Sequence, residues 1–250
     1  MSDLDRHAAA YTPAFAHFEE NRIVHAAYGQ RLRALARERG ARSVLSLGVG
    51  HQEVAQALLE ALRSDEIDRH VLIDAAPQLL ADFARDQAPL PAGLELVEAW
   101  FEQYQDAQGF DLIEAGFVLE HVDDPALLLR HLRSLLRPGG LLCVAVPNAT
   151  SLHRRLGHAA GLLPDMFQLG QADLVLGHRR YFDPASLSAL AEAAGWQALR
   201  CEGLLLKPFT TGQLERLALA PEIWRALQQV AAPYPELSNA FCMDLQATGA

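Results

Sequence analysis

Two glycines and one carboxylate are the first residues in this 250-residue chain whose types and spacing suggest chemistry. Gly48 and Gly50, in Leu47-Gly48-Val49-Gly50, follow a short apolar run, and Asp74 ends the next such run about two dozen residues on. Glycines after a buried strand let a ligand lie against bare backbone, and an acid at the end of the following strand can accept hydrogen bonds from ribose hydroxyls. Each feature alone is explained as well by a tight turn or a helix cap. In register, they imply an adenosine-containing cofactor. The dinucleotide fingerprint G-x-G-x-x-G fails at its third glycine, where Glu53 would set a carboxylate beside a pyrophosphate. S-adenosylmethionine has no phosphate and needs close backbone approach without an anion nest, so the balance tilts from NAD toward that sulfonium cofactor.

The elements that must position these residues alternate along the chain. Apolar residues at helical spacing (Phe15, Phe18, Ile23, Ala27, Leu32, Leu35) predict one or two helices over 14–39, stopped by Gly40. Strands are expected at Ser43–Leu47, His70–Asp74, Leu94–Val97, Phe110–Glu114 and Leu141–Val146. Helices are expected at Glu53–Arg63, Pro77–Asp86 and Pro125–Arg137, the last broken by Pro138-Gly139-Gly140. After them come a helix over Pro184–Ala194, a strand over Trp196–Leu206, a helical excursion from Thr211 to Val230 and a last strand over Asn239–Gln246. Strands separated by crossover helices make an α/β sheet with helices on both faces. The expected organisation is one domain over 1–250: a helical cap (1–40), a cofactor-binding core (41–206), and the excursion with the last strand (207–250).

Four segments resemble class I S-adenosylmethionine-dependent methyltransferases of the ubiquinone-methyltransferase-like type. They are VLSLGVG (Val44 to Gly50), LIDAAP (Leu72 to Pro77), FDLIEAGFVLEHVDDP (Phe110 to Pro125) and LLRPGGLLCVAVPN (Leu135 to Asn148). GHRRYFDPASLSALAEAAGW (Gly177 to Trp196) is similar to the lead-in to the sixth strand of such enzymes. The resemblance implies a seven-stranded, mostly parallel Rossmann-like sheet with the last strand antiparallel. It further implies S-adenosylmethionine as cofactor, S-adenosylhomocysteine as product, and a cofactor site built from Gly48, Val49, Gly50, Asp74, Ala75, Ala115, Gly116 and Phe117. Three positions depart from the pattern. Ser46 replaces the usual first-strand acid, Gln52 stands where glycine is common, and Trp100 replaces an aspartate that often meets adenine. Adenine recognition is therefore expected from Trp100 or Phe101 by stacking.

Methyl transfer from a sulfonium is an in-line displacement, in which the protein chiefly aligns the reactants and excludes water; a base helps a hydroxyl acceptor more than an amine. By the resemblance, His121 overlooks the reactive side and is the first catalytic candidate; His178, in the cluster His178-Arg179-Arg180-Tyr181, is the second. Glu114 and Glu120 read as solvated or capping acids. Substrate contacts are expected from Tyr11 on the cap, from Asn148, His153 and Arg154 after the fifth strand, and from Tyr181. Ten histidines invite a metal, but no HExxH or Cys/His pairing occurs, so none is expected.

Composition bounds the partners. Half the residues are hydrophobic and 21 % are charged, which excludes wholesale disorder. A formal net charge of −10 argues against a general nucleic-acid binder. Three scattered cysteines fit a reducing cytosol better than a disulfide framework, and neither a leader nor a membrane span is read from the chain. The expected protein is a cytoplasmic O- or N-methyltransferase for a small metabolite such as a sugar or secondary metabolite, working as a monomer or homodimer without nucleic acid or membrane. The alternatives are a methyltransferase acting on tRNA or protein, and a non-catalytic S-adenosylmethionine-binding scaffold.

Overall fold

The computed structural model describes residues 17–249, so the candidate Tyr11 lies outside the described residues. The seven strands are β1 (Ser43–Leu47), β2 (Arg69–Asp74), β3 (Leu94–Glu98), β4 (Phe110–Gly116), β5 (Leu136–Pro147), β6 (Trp196–Gly203) and β7 (Ala240–Ala247). They form one sheet in the order β3-β2-β1-β4-β5-β7-β6. β1 to β5 run parallel, whereas β7 is antiparallel to both β5 and β6. The mostly parallel seven-stranded α/β sheet with an antiparallel last strand is as expected.

Why these segments are strands follows from burial on both faces. All five residues of β1 are buried, and a strand covered on both sides carries a continuous apolar run. Successive side chains then divide between the two faces. Leu45, Ile113 and Leu142 enter one core with Leu128, Leu132, Trp196 and Phe241. Their chain neighbours Val44, Leu112 and Cys143 enter the other with Tyr28, Leu32 and Leu58. The helices covering the sheet are α1 (Phe18–Arg39), α2 (Glu53–Arg63), α3 (Pro77–Asp86), α4 (Pro125–Arg133) and α7 (Pro184–Ala193).

Several boundaries differ from the sequence expectation. α4 stops at Arg133, not Arg137, and β5 takes in Pro138-Gly139-Gly140. The pairing steps from Phe110↔Leu136 to Leu112↔Leu141, and this irregularity absorbs the extra residues, so the glycines bulge a strand instead of ending a helix. The excursion divides into α8 (Thr211–Arg216) and α9 (Pro221–Ala231), parted at Ala218 with φ 45°. After β5 the polar segment from Pro147 runs, as expected, into a helix, α5 (Leu152–Ala159), whereas α6 (Gln171–Leu176) has no sequence counterpart; six residues are too few for helical periodicity to register. No helix of the described residues is long and apolar enough to cross a membrane.

Among the described residues the segment expected as a cap is one long helix, α1, closed by Gly40 in the left-handed conformation at φ 61°. Its fully buried Tyr28 donates its hydroxyl to the Cys143 carbonyl at 2.9 Å, fixing the helix across β4 and β5. This contact requires glycine at 116, because a Cβ there would lie 2.2 Å from a Tyr28 ring carbon. Gly116→Ala should therefore cost about 1–3 kcal/mol by overpacking. In a Tyr28→Leu background the same change should cost much less. Urea denaturation of the four proteins checks this, and strictly additive costs would refute the clash.

Candidate active site

A cavity of about 600 Å³ opens at the carboxyl ends of β1, β2 and β4. That is where an open α/β sheet leaves a crevice when strand order reverses. Here β2 and β3 lie to one side of β1 and β4 to the other. α1 covers one side of the cavity, and the segments 147–154, 172–181 and 207–211 line another.

The glycine loop forms its floor. Gly48 has φ 84° and Gly50 has φ 51°, so both need left-handed backbone. A Cβ at Gly48 would meet only ordinary contacts, Phe101 at 3.7 Å and Asp74 at 3.9 Å, so backbone conformation and not space demands the glycine. Gln52, where glycine is common in the resembling enzymes, has φ 68°. The conformation survives here without the residue that favours it, at a cost on the order of 1 kcal/mol. Asp74 braces this loop: Oδ2 accepts the Val49 N–H at 3.0 Å and Oδ1 accepts the Ala76 N–H at 2.8 Å. Burial raises its pKa against those two donors. Each oxygen keeps further acceptor capacity toward the cavity. Ser46 is bonded at 2.9 Å to His70, whose imidazole burial holds neutral with a pKa of about 4.

The wall from β4 is more unusual than its sequence suggests. Glu114, expected to be a solvated or capping acid, is buried; its carboxylate accepts the Gly116 N–H at 2.9 Å, and burial pushes its pKa up to about 8. Phe117 lies at φ 59°, a strained backbone for a bulky residue. Its ring stacks on His25 at 4.2 Å, and His25 meets His51 at 4.9 Å. Burial lowers both imidazole pKa values, that of His51 to about 4, so this wall is neutral at physiological pH. His51 was not a sequence candidate; it follows Gly50 and its burial by α1 has no local signal.

At the opposite end, segments far apart in the chain are stitched together. The Arg179 N–H donates to the Glu120 carbonyl at 2.8 Å, and the Arg180 guanidinium donates to the carbonyls of Leu119, Val122 and Asp123. His121 and His178 thereby meet edge to face with ring centroids 4.8 Å apart. His178 Nδ1 lies 3.2 Å from Asp173 Oδ1, which also accepts the Tyr181 hydroxyl at 2.9 Å. Arg154 lies over the Tyr181 ring at 4.3 Å and donates to the carbonyls of Met166 and Gln168. Glu120, expected to be a solvated or capping acid, is instead fully buried on the cavity wall with neither oxygen hydrogen-bonded, and burial pushes its pKa up to about 7. A third polar group joins the cap to the excursion: buried Lys207 pairs with Glu20 at 2.7 Å, and Asn239 donates to the same carboxylate at 2.9 Å. Sequence spacing has no means of pairing residues 20 and 207.

Of the sequence candidates, Gly48, Val49, Gly50, Asp74, Phe101, Gly116, Phe117, His121, Asn148, His153, Arg154, His178 and Tyr181 all line the cavity. Four expectations need correction. Trp100 is 55 % exposed and off the cavity wall, because Phe101, the next residue, takes the inward position. Ala115 points into the core beneath the site, since side chains alternate along β4, and Ala76 rather than Ala75 reaches the wall. Asn148 spends its amide on the carbonyls of Pro235 and Ser238 and its oxygen on Thr150, so it organises the loop. The two arginines of the His178 cluster are likewise engaged, Arg180 as above and Arg179 with Asp123.

A methyltransferase-domain family model matches residues 16–200, most of the chain. The chain belongs to the class I S-adenosylmethionine-dependent methyltransferases. Among its relatives in this class is the ubiquinone biosynthesis O-methyltransferase of Xanthomonas axonopodis pv. citri, 28 % identical over 165 residues, which are 63 % of this chain and 56 % of that protein. The chain spans about half the length of the curated relatives it matches. Magnesium protoporphyrin IX methyltransferase from Synechocystis PCC 6803, solved with bound S-adenosylhomocysteine, shares the fold at 15 % identity and a TM-score of 0.62, covering 98 % of this chain and 94 % of that one. The 1,6-didemethyltoxoflavin N1-methyltransferase of Burkholderia thailandensis, also with S-adenosylhomocysteine, does so at 16 % identity and a TM-score of 0.55, covering 90 % and 79 %. S-adenosylmethionine is accordingly the cofactor of this methyltransferase fold.

The buried carboxyl of Glu114 yields a stability prediction. A carboxyl whose pKa rises on folding, from near 4.5 to about 8, binds more protons in the folded state across that interval. Its contribution is fully present below pH 4.5 and is lost as pH rises through 8. Glu114→Gln should therefore gain melting temperature relative to the parent between pH 5 and pH 8.5. A difference independent of pH would show that Glu114 titrates normally.

Proposed function

We propose that this protein transfers the methyl group of S-adenosylmethionine to an oxygen or nitrogen atom of a small metabolite. The observation that carries the reading is the continuity of one half-open cavity, running from the glycine loop and Asp74 to His121, His178 and Tyr181. In this reading Gly48, Val49 and Gly50 take the methionine portion, Asp74 the ribose hydroxyls, and Phe101 the adenine face. The acceptor lies toward His121 and His178, between Arg154, Tyr181 and His153. Its lone pair attacks the methyl carbon as the carbon–sulfur bond breaks toward sulfur, leaving S-adenosylhomocysteine; a hydroxyl acceptor also loses its proton.

The protein supplies alignment and a dry site. Neutral His25 and His51 beside Phe117 keep one wall free of competing charge, and α1 excludes solvent from above. The O-methyltransferase relatives favour oxygen over nitrogen as acceptor. A cavity of this size holds a metabolite, which favours a small acceptor over tRNA or protein. Of the five arginines a polyanion would call on, Arg130, Arg133, Arg137, Arg154 and Arg155, four are engaged within the fold: Arg137 pairs with Asp111, Arg133 donates to the Thr248 carbonyl, Arg154 to those of Met166 and Gln168, and Arg155 to that of Thr150.

Calorimetric titration should give micromolar binding of S-adenosylmethionine and S-adenosylhomocysteine and none of NAD. Asp74→Ala should weaken that binding at least about tenfold, from lost ribose contacts and from release of the Val49 and Ala76 amides. Unchanged affinity in a folded variant would refute the ribose role, and absence of any binding would overturn both the methyl-transfer reading and the S-adenosylmethionine-binding scaffold.

A further inference from the structure

Glu120 is the one fully buried side chain on the cavity wall, among the described residues, whose two carboxylate oxygens both lack a hydrogen-bond partner. Burying such a group without a counter-charge is costly, and buried charges are ordinarily paired or metal-bound. His178 and the Arg180 guanidinium both act on Glu120, but Arg180 is spent on three carbonyls, which leaves two imidazoles as the groups that can join it around an ion. One ligand atom from each of Glu120, His121 and His178 lies within 4.8 Å of the others. We propose that Glu120, His121 and His178 form a binding site for a divalent transition-metal cation at the acceptor end of the cavity.

Three features support a built site over a chance cluster. The first is the donor set. Two imidazole nitrogens and one carboxylate oxygen suit first-row ions such as Zn²⁺, Co²⁺ or Fe²⁺, whereas Ca²⁺ and Mg²⁺ prefer oxygen throughout. The second is the support behind His178. Its Nδ1 faces Asp173 at 3.2 Å, which leaves Nε2 for the cation, and Asp173 is itself fixed by the Tyr181 hydroxyl. A carboxylate behind a metal-bound imidazole orients the ring and raises its basicity. The third is the stitching that holds the two segments in register: Arg180 grips three carbonyls of the 119–123 turn, so the ligands converge before any ion binds. Ligation at about 2.1 Å puts donor atoms roughly 3–4 Å apart, so side-chain shifts of under about 1 Å close the site.

Three protein ligands leave coordination positions open toward the cavity. There the cation holds an acceptor hydroxyl and orients its oxygen toward the methyl group. That consequence rests on the methyl-transfer reading; cation binding itself does not.

The test uses Co²⁺ alone with the chelator-treated full chain, followed by calorimetry and visible absorption. Saturable binding of one Co²⁺ per chain with ligand-field bands, displaced by Zn²⁺, is expected. Glu120→Gln and His178→Asn should each weaken it at least about tenfold, and Asp173→Asn should weaken it less. His158→Asn, which alters an exposed histidine elsewhere, should leave it unchanged. Circular dichroism and S-adenosylmethionine titration of each variant separate misfolding and cofactor loss from ligand loss. No saturable Co²⁺ binding by the parent overturns the proposal, as does binding that survives both Glu120→Gln and His178→Asn in folded protein. If S-adenosylmethionine still binds in either case, the metal site falls and the methyl-transfer reading stands.

Discussion

The crevice exists because the chain leaves β1 toward β2 and β3, then returns to lay β4 on the other edge of β1. Helices that depart from the two halves go separate ways and leave the carboxyl ends of β1, β2 and β4 uncovered. Everything functional in the molecule depends on that split. The turn after β1 must be tight enough to leave the crevice open, so Gly48 and Gly50 take left-handed backbone, and it must be held from the side, so Asp74 grips the Val49 amide from β2. α1 closes the opening, and it can lie there only because Gly116 has no side chain where Tyr28 crosses β4.

Closing the crevice buries many titratable groups, and the fold treats them in two ways. Some are held neutral by burial alone, as with His51, His70 and Glu114. Others are paired across elements. Burial of Glu20 raises its carboxyl pKa, and the Lys207 ammonium with the Thr211 hydroxyl more than reverses this, holding it ionised as the link between cap and excursion. Asp111 similarly ties the start of β1 to β5, accepting from the Arg42 and Ser43 amides and from Arg137. Glu120 follows neither course fully, since it is buried without a hydrogen-bonding partner. A buried carboxyl with both oxygens unbonded marks a place where a further charge is wanted.

The loops that follow β5 show how a site on a common framework acquires its own character. Asn148 and Thr150 are spent on holding the loop against 235–238, and Arg154 and Arg180 on carbonyls across the crevice rim. These are polar residues in positions where a substrate contact was the natural expectation. Their work is to make irregular backbone rigid, because a loop without sheet or helix partners must satisfy its carbonyls with side chains.

The amino-acid sequence by itself determined the framework. Strand and helix alternation, continuous apolar runs at β1 and β5, and the glycine-then-acid pair were all legible, because each is a local pattern of burial or backbone freedom. The glycine-loop end of the cavity was legible for the same reason: Gly48, Gly50 and Asp74 sit at strand ends whose positions the apolar runs define. Where a choice lay between adjacent residues it stayed open, as with Trp100 and Phe101, since which of two neighbours turns inward is settled by the loop's exit angle. At the opposite end the sequence offered His121, His153, Arg154, His178 and Tyr181 singly, and tertiary structure alone decided which groups meet there. Glu120 and His178 stand about sixty residues apart in the chain, as Glu20 and Lys207 stand nearly two hundred apart. Their chemistry arises from desolvation and proximity, two properties that no spacing encodes and that exist only once the chain has folded over itself.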